Sequence, residues 1–110
     1  MSLSYTYFDL LAQLLVVPEA SIVSRTIYSD GQVKAVVFGF AAGQELSEHT
    51  AAVPAIIHIL KGEARLTLGG DVVEVREGTW LHMPAQLQHS VSARTPLTML
   101  LLLLTDPHGS

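Results

Sequence analysis

From Ile22 onward, glycines, prolines and an Asp-Gly pair cut this sequence into runs of four to eight residues rich in β-branched and other apolar side chains. Runs of that length are too short for stable helices and match strands. They are Ile22–Tyr28, Val33–Phe40, Val53–Leu60, Ala64–Leu68, Val72–Val75, Trp80–Met83, Ser90–Ala93 and Thr98–Leu104. Ser29-Asp30-Gly31-Gln32 marks a hairpin between the first two, and Gly69-Gly70-Asp71 joins a later pair tightly. The pattern predicts an all-β barrel or sandwich. Only Phe8–Val16, through Leu10, Leu11, Leu14 and Leu15, has helical spacing, so a short N-terminal helix is expected there.

No repeat, linker or low-complexity stretch divides the 110 residues, and the length suits one domain with one core. The boundaries read from the sequence are an N-terminal segment at 1–21 packing on the barrel, a barrel at 22–105, and a polar tail at 106–110 that carries His108. Hydrophobic residues make up 49% of the chain, more than one small barrel hides, which predicts a homodimer. The formal net charge is -4, and the six Lys and Arg residues are scattered singly, so nucleic acid and anionic membrane surfaces are not expected partners. The absence of cysteine excludes disulfides, thiolate metal sites and cysteine nucleophiles. Leu10–Val17 lacks the basic flank of a signal peptide, and the apolar run 97–104 falls short of the roughly 20 residues that span a bilayer as a helix. A cytoplasmic location is expected.

Two stretches carry the chemistry. The first opens at Gly43 and passes through His49, Ala51, Ala55 and His58 to Gly62. The second opens at Gly78 and passes through His82, Pro84 and Gln86 to His89. Together they resemble the two signature motifs of the cupin superfamily, the first built around His-X-His and a glutamate, the second around a proline, a glycine and a histidine. The resemblance extends over about 22–104 and implies a double-stranded β-helix, the jelly-roll barrel of RmlC-like proteins. It also implies that His49 and His89 point into the barrel and bind one divalent transition metal, which in this family is iron, manganese, nickel, zinc or copper. Imidazole suits all of these. The departures matter as much: Ala51 stands where the family has its second histidine, Ala55 where it has the glutamate, and Gln86 where the second motif has glycine.

Two imidazoles are fewer than the three protein ligands usual in catalytic metal sites. A third would have to come from Glu48, Glu45, His58 or His82. Counting by twos from Ala55 points Ile57 and Ile59 inward and His58 outward, and likewise Leu81 and Met83 inward and His82 outward. If the ladder begun at the Gly69-Gly70-Asp71 loop sets Leu68 opposite Val72 and continues, His58 lies opposite His82 and Gly62 near Gly78. A β-bulge would instead swing either histidine inward. Taken singly, a histidine in a strand-rich domain is usually structural.

Ile57, Ile59, Leu81, Met83 and alternate residues of Thr98–Leu104 predict an apolar pocket for a small-molecule ligand. Serine-hydrolase and phosphate-cradle motifs are missing from the sequence. Two functions fit what is present. One is a metal-dependent enzyme, a dioxygenase or isomerase of the small cupin type, holding its ion through His49 and His89. The other is a metal-free ligand-binding or structural protein without catalysis.

Overall fold

A computed structural model describes residues 3–105 of the chain. The expected tail at 106–110, His108 included, lies outside the described residues. Among the described residues nine strands form two antiparallel sheets: β1 (Ile22–Ser29), β2 (Val33–Phe40), β3 (Glu45–His49), β4 (Ala55–Lys61), β5 (Glu63–Leu68), β6 (Asp71–Arg76), β7 (Trp80–Met83), β8 (His89–Ala93) and β9 (Leu97–Leu104). One sheet has the order β1-β2-β9-β4-β7 and the other β3-β8-β5-β6. The all-β jelly roll expected from the sequence is therefore the observed fold. The polar strand β3 is an addition, because Glu45-Leu-Ser-Glu-His49 has too few apolar residues to announce itself. The leucine spacing at 8–16 yields one turn of 3-10 helix, Leu11–Gln13, with no side-chain cap. Isolated helices that short gain little, and packing on the sheet decides the conformation.

Side chains that alternate inward from both sheets make the core. Phe40, Ile57, Ile59, Leu66, Val91, Leu97 and Met99 are all buried, and Leu101 and Leu103 pack against them. In β9 the odd-numbered positions face inward, leaving Leu100, Leu102 and Leu104 on the outer face of the five-stranded sheet. The N-terminal segment lies over part of that outer face: a Cβ on Gly39 would collide with the Val17 side chain and touch Leu15.

At the β1–β2 turn, Asp30 carboxylate oxygens accept from the Gln32 and Val33 amides at 2.7 and 2.9 Å and from the Tyr28 hydroxyl at 2.7 Å. The hydroxyl bond first, then the two amides, hold the Asp30 carboxyl below its ordinary pKa, and the same carboxylate raises that of Tyr28.

Two of the crossings between sheets, β4 to β5 and β6 to β7, are made at glycine corners, Gly62 and Gly78, both at φ 92°. A Cβ at Gly62 would run into the Pro96 carbonyl, so glycine is required there by contact as well as by φ. These corners break the single ladder expected from the sequence. Leu68 pairs with Asp71 in the β5–β6 hairpin of one sheet, whereas β4 and β7 pair in the other, with His58 opposite Trp80 and Ile56 opposite His82. Gly78 bonds the Ile59 carbonyl rather than lying beside Gly62. His58 and His82 are thus diagonal neighbours rather than opposed. The offset is an even number of residues, so both stay on the outer face. Among the described residues, no helix is long and apolar enough to cross a membrane.

Candidate functional site

One end of the barrel is built by the end of β3 and the start of β8. Glu45 pairs with Ser92 and Leu46 with Val91, and then the register slips so that His49 pairs with His89. Ser47 and Glu48 together stand opposite Ser90, an extra residue on β3 of the kind that bends a strand and re-aims its side chains. Leu46 faces the core, and strict alternation would send His49 outward. The bulge reverses that and brings His49 against His89.

The two ring centroids are 4.2 Å apart and the planes are tilted by 58°. His89 is 7% exposed, whereas His49 is open to solvent. Each ring is fixed by the carbonyl two residues before it. Nδ1 of His49 donates to Ser47 O at 2.7 Å, and Nδ1 of His89 donates to Leu87 O at 2.9 Å. A carbonyl only accepts, so each Nδ1 carries a proton, and in the neutral ring the lone pair lies on Nε2. The site is a pair of imidazoles, each oriented by a carbonyl on Nδ1.

The other candidate ligands lie elsewhere. Glu48, turned outward by the bulge, lines a groove on the outer face of the four-stranded sheet with Glu45, Ser90 and Thr67. His58 is half-buried beside Trp80 and Leu100, and His82 is exposed. Among the described residues, no group of three or more His, Asp or Glu side chains is placed to hold a metal ion. Ala55 is 1% exposed between its partners Met83 and Leu103, so the glutamate position of the family is filled by packed hydrocarbon. The donor set does not fit a tightly held resident ion.

The expected pocket lining needs correction. Ile57, Ile59 and Met83 are 1%, 0% and 2% exposed, part of the packed core rather than walls that a ligand touches. Leu81 is only partly buried against the same cluster. Apolar inward positions in a barrel this small interlock with one another before they leave a void.

Gln86 sits in the loop before His89 at φ 70°, and its amide donates to Ala51 O at 2.8 Å. A left-handed backbone explains why glycine is usual there. The bond ties together the loops that carry the two motifs. The β3 bulge was the feature missed from the sequence; its signal is the spacing of three between Leu46 and His49 where two is regular.

Comparison with known proteins places these observations. A family described as "Cupin domain" matches residues 36–104. Among solved structures, a cupin superfamily protein from Desulfitobacterium hafniense is 26% identical, with 94% of this chain and 95% of that one covered and a TM-score of 0.85. An RmlC-like cupin from Desulfovibrio desulfuricans is 25% identical, with 91% and 97% covered and a TM-score of 0.81. KdgF from a Halomonas species, 19% identical over 82% of this chain and 86% of its own, shares the fold at a TM-score of 0.71. Among curated proteins, none matches the sequence.

Proposed function

This chain belongs to the cupin domain family, and we propose that within it the chain is a small-molecule-binding protein without a resident catalytic metal. The observation that carries this reading is the paired imidazoles, each with Nδ1 engaged by a carbonyl and Nε2 free, with no third ligand beside them among the described residues. Two fixed acceptors on rings 4.2 Å apart suit a ligand with two neighbouring hydrogen-bond donors. Leu68, the β5 partner of His89, and the half-buried Leu87 give the site an apolar flank. The ligand class is therefore a small, largely apolar molecule carrying adjacent hydroxyl or amino donors.

In this role His89 supplies a buried, pre-oriented acceptor and His49 a solvent-side one. Among the described residues neither ring is hydrogen-bonded to a carboxylate. The test is the metal content of protein prepared without a polyhistidine tag. We expect far less than one transition-metal ion per chain. A near-stoichiometric ion that disappears in His49→Ala would refute the reading and restore a metal-dependent dioxygenase or isomerase.

A second reading rests on the same two lone pairs. A divalent ion held only by His49 and His89 would leave most of its coordination positions to solvent or to a chelating ligand. It would bind weakly and exchange readily. Such an ion would be captured only together with the ligand, which isothermal titration with metal alone, then with metal and ligand, separates.

A further inference from the structure

At the end of the barrel remote from the histidine pair, a cavity of about 490 Å³ opens between the N-terminal segment and the rim of the five-stranded sheet. β8 runs away from His89 to Ala93, and β9 starts at Leu97 on this far side. The volume lies within the range of small-molecule pockets, roughly 300–1,000 Å³. Leu15, Val17 and Pro18 form the wall contributed by the N-terminal segment, and Lys61 and Thr98 line the sheet side.

Lys61 reaches this wall through an irregularity. β4 and β9 keep regular register as far as Ile59 opposite Met99, then skip so that Lys61 pairs with Thr98. Without the extra residue Lys61 would continue the inward series of Ala55, Ile57 and Ile59. The bulge at Leu60 places it instead on the face of Thr98, under the N-terminal segment. Among the described residues its ammonium has no carboxylate within salt-bridge distance, since the ion pairs found are those of Arg65 and Arg94 with Glu74. The segment above it is held in place: Val17 fills the space left by Gly39, and the Ala41 amide donates to Ser21 O at 2.9 Å.

We infer that this cavity binds a small apolar-bodied carboxylic acid, its chain against Leu15, Val17 and Pro18 and its carboxylate on Lys61 Nζ. Thr98, the register partner of Lys61, brings a hydroxyl to the same cavity. Glu19 also lines the cavity and selects against dianions. The inference is independent of the histidine site, because no residue is shared.

The test is an amide-shift NMR titration of the full chain with octanoate, and with octanol as a neutral probe of the same length. Octanoate should give saturable shifts at Val17, Lys61 and Thr98, unchanged in His49→Ala. Lys61→Met should weaken octanoate by about fivefold, the weight of one partly exposed ion pair, and leave octanol alone. Lys61→Arg should retain binding, and Glu19→Gln should leave it equal or stronger. The inference fails if octanoate gives no saturable shifts, if they fall only around His49 and His89, or if Lys61→Met binds as the parent does. Weaker octanoate binding in Glu19→Gln would overturn the acid and indicate a zwitterion.

Discussion

His49 and His89 are cross-strand partners with rings 4.2 Å apart, but only His89 is buried, at 7% exposure. The same substitution should therefore have unequal consequences. His89→Ala removes packed ring atoms and leaves the Leu87 carbonyl without its donor, costing about 1–3 kcal/mol. His49→Ala acts at an open position and should stay within about 0.5 kcal/mol. Urea unfolding of the two variants checks this, and equal losses would contradict the asymmetry.

Gln86 tests the backbone at the site. A left-handed non-glycine residue costs about 1–2 kcal/mol, while glycine gives back part of that in unfolded-state entropy. Gln86→Gly should raise stability by about 0.5 kcal/mol, and Gln86→Val should lower it. A Gly variant that melts below the parent would show that the Gln86 side chain contributes more than its φ of 70° costs.

The two corner glycines separate strain from collision. Gly62 and Gly78 share φ 92°, but only Gly62 has a backbone carbonyl where a Cβ would go. Gly78→Ala should cost about 1 kcal/mol from conformation alone. Gly62→Ala should cost at least about 2 kcal/mol more. Thermal melts that rank them the other way would contradict the corner geometry.

The β1–β2 turn predicts an acid-side effect. The pKa of Asp30 is lowered in the folded chain, so the stabilisation is present above the ordinary Asp value and disappears as pH falls through the lowered one. The raised pKa of Tyr28 acts on the alkaline side, its contribution being lost as pH rises above the ordinary tyrosine value. Asp30→Asn should melt below the parent at neutral pH and converge with it as the solution is acidified. A gap that stays constant into strong acid would rule out the titration.

Self-association is the remaining expectation. Trp80 is 60% exposed opposite His58, and across β4 from it the half-buried Leu100, Leu102 and Leu104 lie on the same outer sheet face. An apolar face with an exposed tryptophan favours a two-fold contact. Light scattering should give twice the chain mass of 11.9 kDa, and Trp80→Glu should return the monomer.

The sequence conveyed the fold because periodic apolar runs and turn residues are local signals, and each of the eight runs overlaps a strand, Val53–Leu60 starting two residues before β4. It conveyed the meeting of His49 and His89 only through family resemblance. Pairing register depends on corners and bulges, which a single inserted residue changes without altering composition. Hence His58 and His82 have other cross-strand partners than an unbroken ladder gives, and the polar β3 carries no apolar signal. Alternation also identified Ile57 and Ile59 as inward residues but not whether inward meant lining or filling, because that depends on how neighbouring side chains interlock.

The bulge at Ser47 and Glu48 makes the chemistry of the barrel mouth a matter of reading frame. If the same residues paired without the bulge, Ser47 would stand opposite Ser90 and Glu48 opposite His89. An imidazole–imidazole pair would become an imidazole–carboxylate pair, with an acceptor replaced by an anion able to charge its neighbour. The one extra residue in β3 thus decides which of two encoded side chains, an imidazole or a carboxylate, meets His89.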